Sequence, residues 1–374
     1  MADLALAQRL KSIRESLGIK VTEAAEKLGF SSYQILSNIE SGDREVKVQE
    51  LQRFSKVYFC SIEKLIGNAE IEPSTKFLWR NAPKERRPEI ENEILYHCEQ
   101  YRLLEKLLEL KTKEGFIKAS LEDISTNHRV ALLADSVSKL LQLGRRPAFT
   151  LQKVLEQDYG IKILYYPFSD GSSVSTSGSS LGNVIVINSN EVPWRQNYDL
   201  AHEFFHLITW DAVIANKLVE ADEYNEEIEK KANFFASILL LPHDEVRKEV
   251  FDRVDKDGRI RDSDIVDIAI EFGVSTPALI YRMVNLRFIT FEAAKTITQN
   301  VELIGIDRQK RLERKKSEQP EHFITLAIRC LRKGFISRGK FAEFMDIDRS
   351  RIDDFILEKG MMEQEGKSVE IMDS

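Results

Sequence analysis

The sequence predicts an α+β chain: an all-α N-terminal segment, a central segment with a small sheet, and a helical C-terminal region. Three observations carry this. Residues 1–69 are short amphipathic runs punctuated by Gly18, Gly29 and Gly42, the pattern of helices closed by glycine stops. Val184-Ile-Val-Ile-Asn188 is a β-branched apolar run, which reads as a buried strand. From Pro193 onward, apolar residues recur at three- and four-residue steps through most of the chain.

The chain has 374 residues, 43% hydrophobic and 31% charged, enough for two to four domains and an ample core. A net charge of −7 gives no general attraction to nucleic acid. No apolar run approaches the length of a membrane span, and no secretory pattern opens the sequence. A cytoplasmic protein without a membrane partner is therefore expected. Cys60, Cys98 and Cys330 are odd in number and scattered; they form neither a disulfide framework nor a Cys-x-x-Cys site, which fits a reducing compartment and buried packing.

Taken in order, residues 4–17 have helical spacing and stop at Gly18. Thr22 is an N-cap for a two-turn helix ending at Gly29, and Ser31 or Ser32 opens a helix over Tyr33–Glu40 that ends at Ser41-Gly42. Helix, tight turn, helix is the shape of a unit whose second helix enters the major groove. Arg9-Leu-Lys-x-x-Arg14, Ala25-x-x-Leu-Gly29 and Ile39-Glu-x-Gly42, with Leu51 and Leu65 beyond, resemble the Xre/Cro-type repressor domain. The resemblance implies that residues 1–69 bind duplex DNA, with the chain acting as a homodimer. Ser32, Tyr33, Gln34 and Ser37 are the candidate base readers, since glutamine can bond adenine in a bidentate way. Lys20, Arg44 and Lys47 are candidate phosphate contacts. The turn is one residue longer than the commonest form. The segment carries ten Lys and Arg against nine acids, so the residue pattern, not a positive field, carries this reading.

Residues 70–145 change character. Pro73, Pro83 and Pro88 among charges read as an exposed linker. Residues 90–111 and 129–143 are amphipathic helices without recognisable chemistry, expected to act as spacer or dimer contact. A third domain is expected over 146–300. In it, residues 150–159 suit a helix, Lys162–Pro167 a strand, and the Ser/Gly-rich Ser169–Gly182 a surface loop rather than a flap over a cleft. A strand along a cleft edge would hold an extended peptide through its backbone.

Next stands Tyr198-Asp-Leu-Ala-His-Glu-Phe-Phe-His-Leu-Ile-Thr-Trp210, with His202-Glu203-x-x-His206 inside it. Residues four apart on a helix share a face, so both imidazoles can hold one Zn²⁺ from one side. Glu203 lies beside the metal without binding it, where a carboxylate can take a proton from the attacking water. The following helix, residues 226–242, buries a stripe of Ile228, Ala232, Phe235, Ala236 and Leu239. Glu229 borders that stripe, and a carboxylate there needs a partner; if the helix packs across the first, Glu229 is the third ligand.

Val184–Asn188, Ala201-His-Glu-Phe-Phe-His206, Glu229-Lys-Lys-Ala-Asn-Phe-Phe-Ala236 and Leu239-Leu-Leu-Pro242 together resemble the ImmA/IrrE family of zinc metallopeptidases. The resemblance implies a zincin-like fold, zinc on His202, His206 and Glu229, Glu203 as general base, and a protein substrate such as a repressor or antitoxin. Two positions depart from the family pattern: Phe205 stands where a small residue is usual, and Lys231 where a second acid is frequent. Neither removes a ligand, and Phe205 is expected to crowd the packing under its helix. A non-catalytic regulator using this fold as a sensor or scaffold is the alternative; it needs the ligands but not Glu203.

Residues 265–286 repeat the helix, turn, helix form, with packing as the expected role over DNA contact. Residues 301–374 are expected to be a helical domain: Arg308–Lys316 holds six basic residues in nine, a solvated face, and the last dozen residues are expected to fray. His97, His128, His243 and His322 lack a metal-spaced partner and are expected at the surface or in packing.

Overall fold

The computed structural model of the chain describes residues 3–67, 77–80, 83–113, 117–168, 173–179, 181–216, 218–220, 223–224, 226–312 and 321–359. Pro73 of the expected linker, residues 169–172 and 180 of the Ser169–Gly182 stretch, Arg314–Lys316 and the final dozen residues lie outside these. The chain divides into two units, one of residues 1–99 with 112–320, the other of 100–111 with 321–374.

The first unit opens with five helices: α1 (Leu4–Ser16), α2 (Val21–Lys27), α3 (Tyr33–Ser41), α4 (Val48–Val57) and α5 (Ile62–Ile66). Side-chain oxygens of Asp3, Ser32 and Ser61 accept from the first free N–H groups of α1, α3 and α5, satisfying donors that helix geometry leaves open. Leu10, Leu36, Ile39, Phe54, Tyr58 and Leu65 are fully buried between them. The Arg14 guanidinium donates to both Glu40 oxygens at 2.7 and 2.9 Å and to the Ile19 carbonyl at 2.9 Å. Two residues of the repressor-like pattern are thus a buried ion pair that ties α1 to α3. Gly42 closes α3 at φ +82°, and a Cβ there would lie 2.8 Å from Leu4 Cδ1, so conformation and contact both require glycine.

A short strand, β1 (Leu78–Arg80), and a long helix, α6 (Arg87–Leu107), follow. The N-terminal half of α6 meets the helical segment before it: Lys27 Nζ lies 2.6 Å from Glu89 Oε1, and the Asn92 amide donates to the Tyr58 carbonyl at 2.7 Å. Next come α7 (Asn127–Leu140), α8 (Leu151–Gln157), β2 (Lys162–Tyr166), β3 (Ser173–Ser179), β4 (Gly182–Asn188) and α9 (Pro193–Ala215). They are followed by β5 (Val219–Glu220), β6 (Glu223–Tyr224) and α10 (Glu226–Leu240). The strands form one mixed sheet in the order β2-β4-β3-β1-β6-β5. β2 runs parallel to β4, β3 antiparallel to β4, and β1 antiparallel to β3 and parallel to β6.

Three expectations are corrected here. The stretch read as an exposed linker holds β1 inside the sheet, a buried Pro83, and Pro88 in the first turn of α6, where its missing N–H has no helical partner to lose. Ser173–Ser179, read as part of a loop, is a strand: its backbone pairs with β4 on one side and β1 on the other, and ladder bonds outweigh poor strand propensity. The helix read as spacer over 129–143 is core: Val130, Ala134, Val137, Leu141 and Leu143 are buried in the same cluster as α9 and α10.

That cluster continues through α11 (His243–Phe251), α12 (Asp262–Glu271), α13 (Thr276–Asn285), α14 (Phe291–Thr298) and α15 (Val301–Arg311). Ile265, Ile268, Phe272, Leu279 and Ile280 are buried, so the second helix-turn-helix shape over 265–286 is a packing unit. Arg282 donates to the Leu241 carbonyl at 3.0 Å, anchoring α13 to the end of α10. The second unit holds α16 (Glu321–Arg332), α17 (Arg338–Met345) and α18 (Ile352–Glu358), with Tyr101, Phe323 and Phe344 in ring contact at its centre. Among the described residues no helix is long and apolar enough to cross a membrane.

Candidate metal centre and DNA-reading helix

Pro193 starts α9, where its missing N–H costs nothing because the first turn has no partner to offer one. The helix then runs 23 residues, long enough to carry His202, Glu203 and His206 through the middle of the core rather than at its edge. α10 crosses it on small residues. Ala232 and Ala236 are fully buried and allow close approach, while Phe235 packs on Phe205 at 5.3 Å and Phe204 at 6.4 Å between centroids. The crowding expected from Phe205 is taken up this way: its ring is fully buried against Phe235 and beside His206. Lys231 is bound to Glu227 at 2.5 Å, away from the histidines in partner and charge.

The crossing brings Glu229 to the two histidines. His202 Nε2 and His206 Nε2 are 3.0 Å apart, and the Glu229 oxygens lie 3.2 Å from the first and 3.1 Å from the second. All three offer a ligand atom within 4.8 Å of one another. His202 Nδ1 lies 3.1 Å from Asn233 Oδ1, at which the Arg80 guanidinium also points a donor at 3.5 Å, while the Tyr198 hydroxyl donates to the Asn233 backbone carbonyl at 2.8 Å. The Asn233 oxygen therefore accepts, His202 carries its proton on Nδ1, and its Nε2 lone pair faces Glu229 and His206. Burial holds the His202 imidazole neutral, with its pKa pushed down to about 3.

The donor set fits zinc. Two nitrogen lone pairs and a carboxylate converging at 3.0–3.2 Å repel unless a cation or proton sits among them. Two ligands of one tetrahedral zinc at ~2.0–2.1 Å stand about 3.3 Å apart, close to the separations found. The tautomer lock on His202 through Asn233 is the supporting bond that ligating histidines usually make. Glu203, fully buried, follows His202 directly on α9.

The residues around this set include two that sequence reasoning did not single out. Asp199, one turn before His202, is fully buried and accepts from Arg80 Nη1 at 2.8 Å and Arg195 Nε at 3.1 Å. Burial pushes its carboxyl up to about 6, and the two guanidinium groups act against that rise. Arg80, on β1, also stands 3.7 Å from Glu229. Spacing could not reveal Arg80, which lies 119 positions from Asp199. Asn233 was legible as part of the Glu229–Ala236 motif, but its bond to His202 was not.

At the other candidate site, Tyr33, Gln34 and Ser37 line the exposed face of α3, and Ser32 caps its start. Ser32 Oγ accepts from the Gln34 N–H at 3.2 Å, so its first task is the cap. Of the three expected phosphate contacts, Lys20 and Lys47 are exposed. Arg44 is half-buried and pinned by Glu50 at 2.7 Å, over the Phe30 ring.

Comparison with known proteins finds a domain family for each of the two segments. Residues 10–65 match the helix-turn-helix family and residues 156–284 match the family described as IrrE N-terminal-like domain. No curated protein matches the chain. Among solved structures, the crystal structure of ComR from Streptococcus suis shares 12% identity over 96% of this chain and 89% of that one. Its TM-score is 0.17, too low for any residue correspondence. The chain therefore joins an Xre-type helix-turn-helix domain to an IrrE N-terminal-like domain of the M78 peptidase family.

Proposed function

We propose that the chain is a DNA-binding regulator whose central domain is a zinc-dependent endopeptidase acting on a protein, of the repressor or antitoxin class that the family resemblance implies. One observation carries the enzymatic part. His202, His206 and Glu229 aim ligand atoms at one point from two packed helices, and the buried carboxylate of Glu203 follows the first of them. Zinc, when bound, polarises a scissile carbonyl and acidifies a water. The chain's own groups do the rest. Glu203 takes the proton of the attacking water, and the core around α9 excludes bulk solvent from the exchange. Asn233 keeps His202 in the ligating tautomer. A scaffold needs the ligands but no base, so Glu203 supports the enzyme.

For DNA, α3 offers Tyr33, Gln34 and Ser37 to the major groove, with Lys20 and Lys47 on phosphates and a homodimer spanning two half-sites. Glu203→Gln tests the enzyme. It keeps the size of the side chain and removes its basicity, so cleavage of a partner protein should fall about a hundred- to ten-thousand-fold. Zinc content and DNA affinity should hold. Parent-rate cleavage by Glu203→Gln would refute the assignment of the base.

A further inference from the structure

The strand next to β3 in the sheet is supplied by a distant part of the chain. β1 is three residues long, and it lies between β3 and β6 with Leu78 opposite Ser175, Trp79 opposite Val174 and Arg80 opposite Ser173. It runs antiparallel to β3, which together with β4 packs against α9, the helix of the metal centre. An extended peptide held by backbone bonds to β3 would take this place and direction. The side chains of β1 are treated as a peptide ligand's would be. Leu78 and Trp79 are fully buried, Trp79 edge-on to Phe168 at 5.5 Å, with its indole N–H on Glu91 at 2.8 Å. Arg80 reaches inward to the fully buried Asp199 and stops 3.7 Å from Glu229.

We propose that the slot between β3 and β6 is the peptide-binding site of the metal centre, that residues 78–80 fill it as an internal ligand, and that Asp199 is the receptor for a basic side chain of the substrate. The substrate class is an extended segment carrying a large aromatic residue followed by arginine. Substrate entry displaces β1, so the resting protein is self-occupied. This rests on reading the central domain as a peptidase, and the test reads binding rather than cleavage.

The probe is a fluorescently labelled peptide with the sequence of residues 75–82, titrated against the full chain by fluorescence anisotropy, with and without added zinc. Arg80→Gln keeps a polar side chain and leaves the backbone pairing of β1 in place, but shortens the side chain and removes the charge that anchors it. It should bind the probe at least about tenfold more tightly than the parent, since loss of a buried ion pair weakens the internal ligand and leaves Asp199 to the probe. Adding Asp199→Asn to Arg80→Gln should abolish the gain, as should a probe with glutamine in place of its arginine. Trp79→Ala is a second way to loosen β1 and should act in the same direction; if it fails to fold, the Arg80→Gln comparison still decides. Equal affinity of parent and Arg80→Gln, or a gain indifferent to Asp199 or to the probe's arginine, overturns the proposal and leaves Arg80 a structural counterion. Asp199-dependent binding of the probe decides the slot whether or not the probe is cut, and the Glu203→Gln cleavage comparison decides the endopeptidase separately.

Discussion

At the scale of single residues, the proposed metal centre is a problem of aiming lone pairs. Two histidines four apart guarantee a shared helix face, but not which nitrogen of each ring is available. Asn233 settles that for His202 by accepting its Nδ1 proton. Asn233→Ala should lower zinc affinity about 10- to 100-fold, the usual cost of losing such a supporting bond, as read by competition with a chelator. His206→Ala should remove stoichiometric zinc altogether, read by metal analysis of the purified protein. Unchanged zinc in that variant would mean that the ligand set is misassigned. Arg44 shows the same point for DNA: a cation in a suitable place by sequence is committed to Glu50, and only Lys20 and Lys47 of the three remain exposed.

At the scale of elements, the site depends on one helix crossing. α10 delivers Glu229 because Ala232 and Ala236 let it approach α9 and because Phe235 locks against Phe205. Removing the Phe235 ring leaves a cavity at that crossing and should cost about 3–5 kcal/mol of stability in urea unfolding. Phe205 is part of the same contact, so its bulk is matched by an aromatic partner on α10. A loss below about 1 kcal/mol in Phe235→Ala would show that the crossing is held elsewhere.

At the scale of the whole molecule, the proposed reading helix and the proposed metal centre belong to separate matching segments, residues 10–65 and 156–284. Their chemistry should therefore be separable. Gln34→Ala should weaken specific DNA binding by about 1–3 kcal/mol, the value of one bidentate base contact, and leave zinc stoichiometry unchanged. An electrophoretic mobility titration beside metal analysis checks both halves. A coupled loss would point to a structural link through α6, whose Glu89 and Asn92 already hold Lys27 and the end of α4.

The sequence by itself determined what is local. Helical spacing set His202, Glu203 and His206 on one stretch of helix, and glycine stops marked the short N-terminal helices, because both follow from periodicity and backbone sterics over a few residues. The β-branched run at 184–187 and the buried stripe of α10 were legible for the same reason. What only the tertiary structure decided is non-local. Ser173–Ser179 has the composition of a loop and becomes a strand because two neighbours satisfy its backbone. The amphipathic face of α7 says that it is covered, but not by what; its partner is the core of the metal domain. Arg14 and Glu40 are a sequence motif whose reason, a buried ion pair, appears only when α1 meets α3. Above all, nothing in the spacing of Arg80 connects it with Asp199 and Glu229. Charge pairing across more than a hundred residues is set by which strand enters the sheet beside β3, and that is a property of the fold.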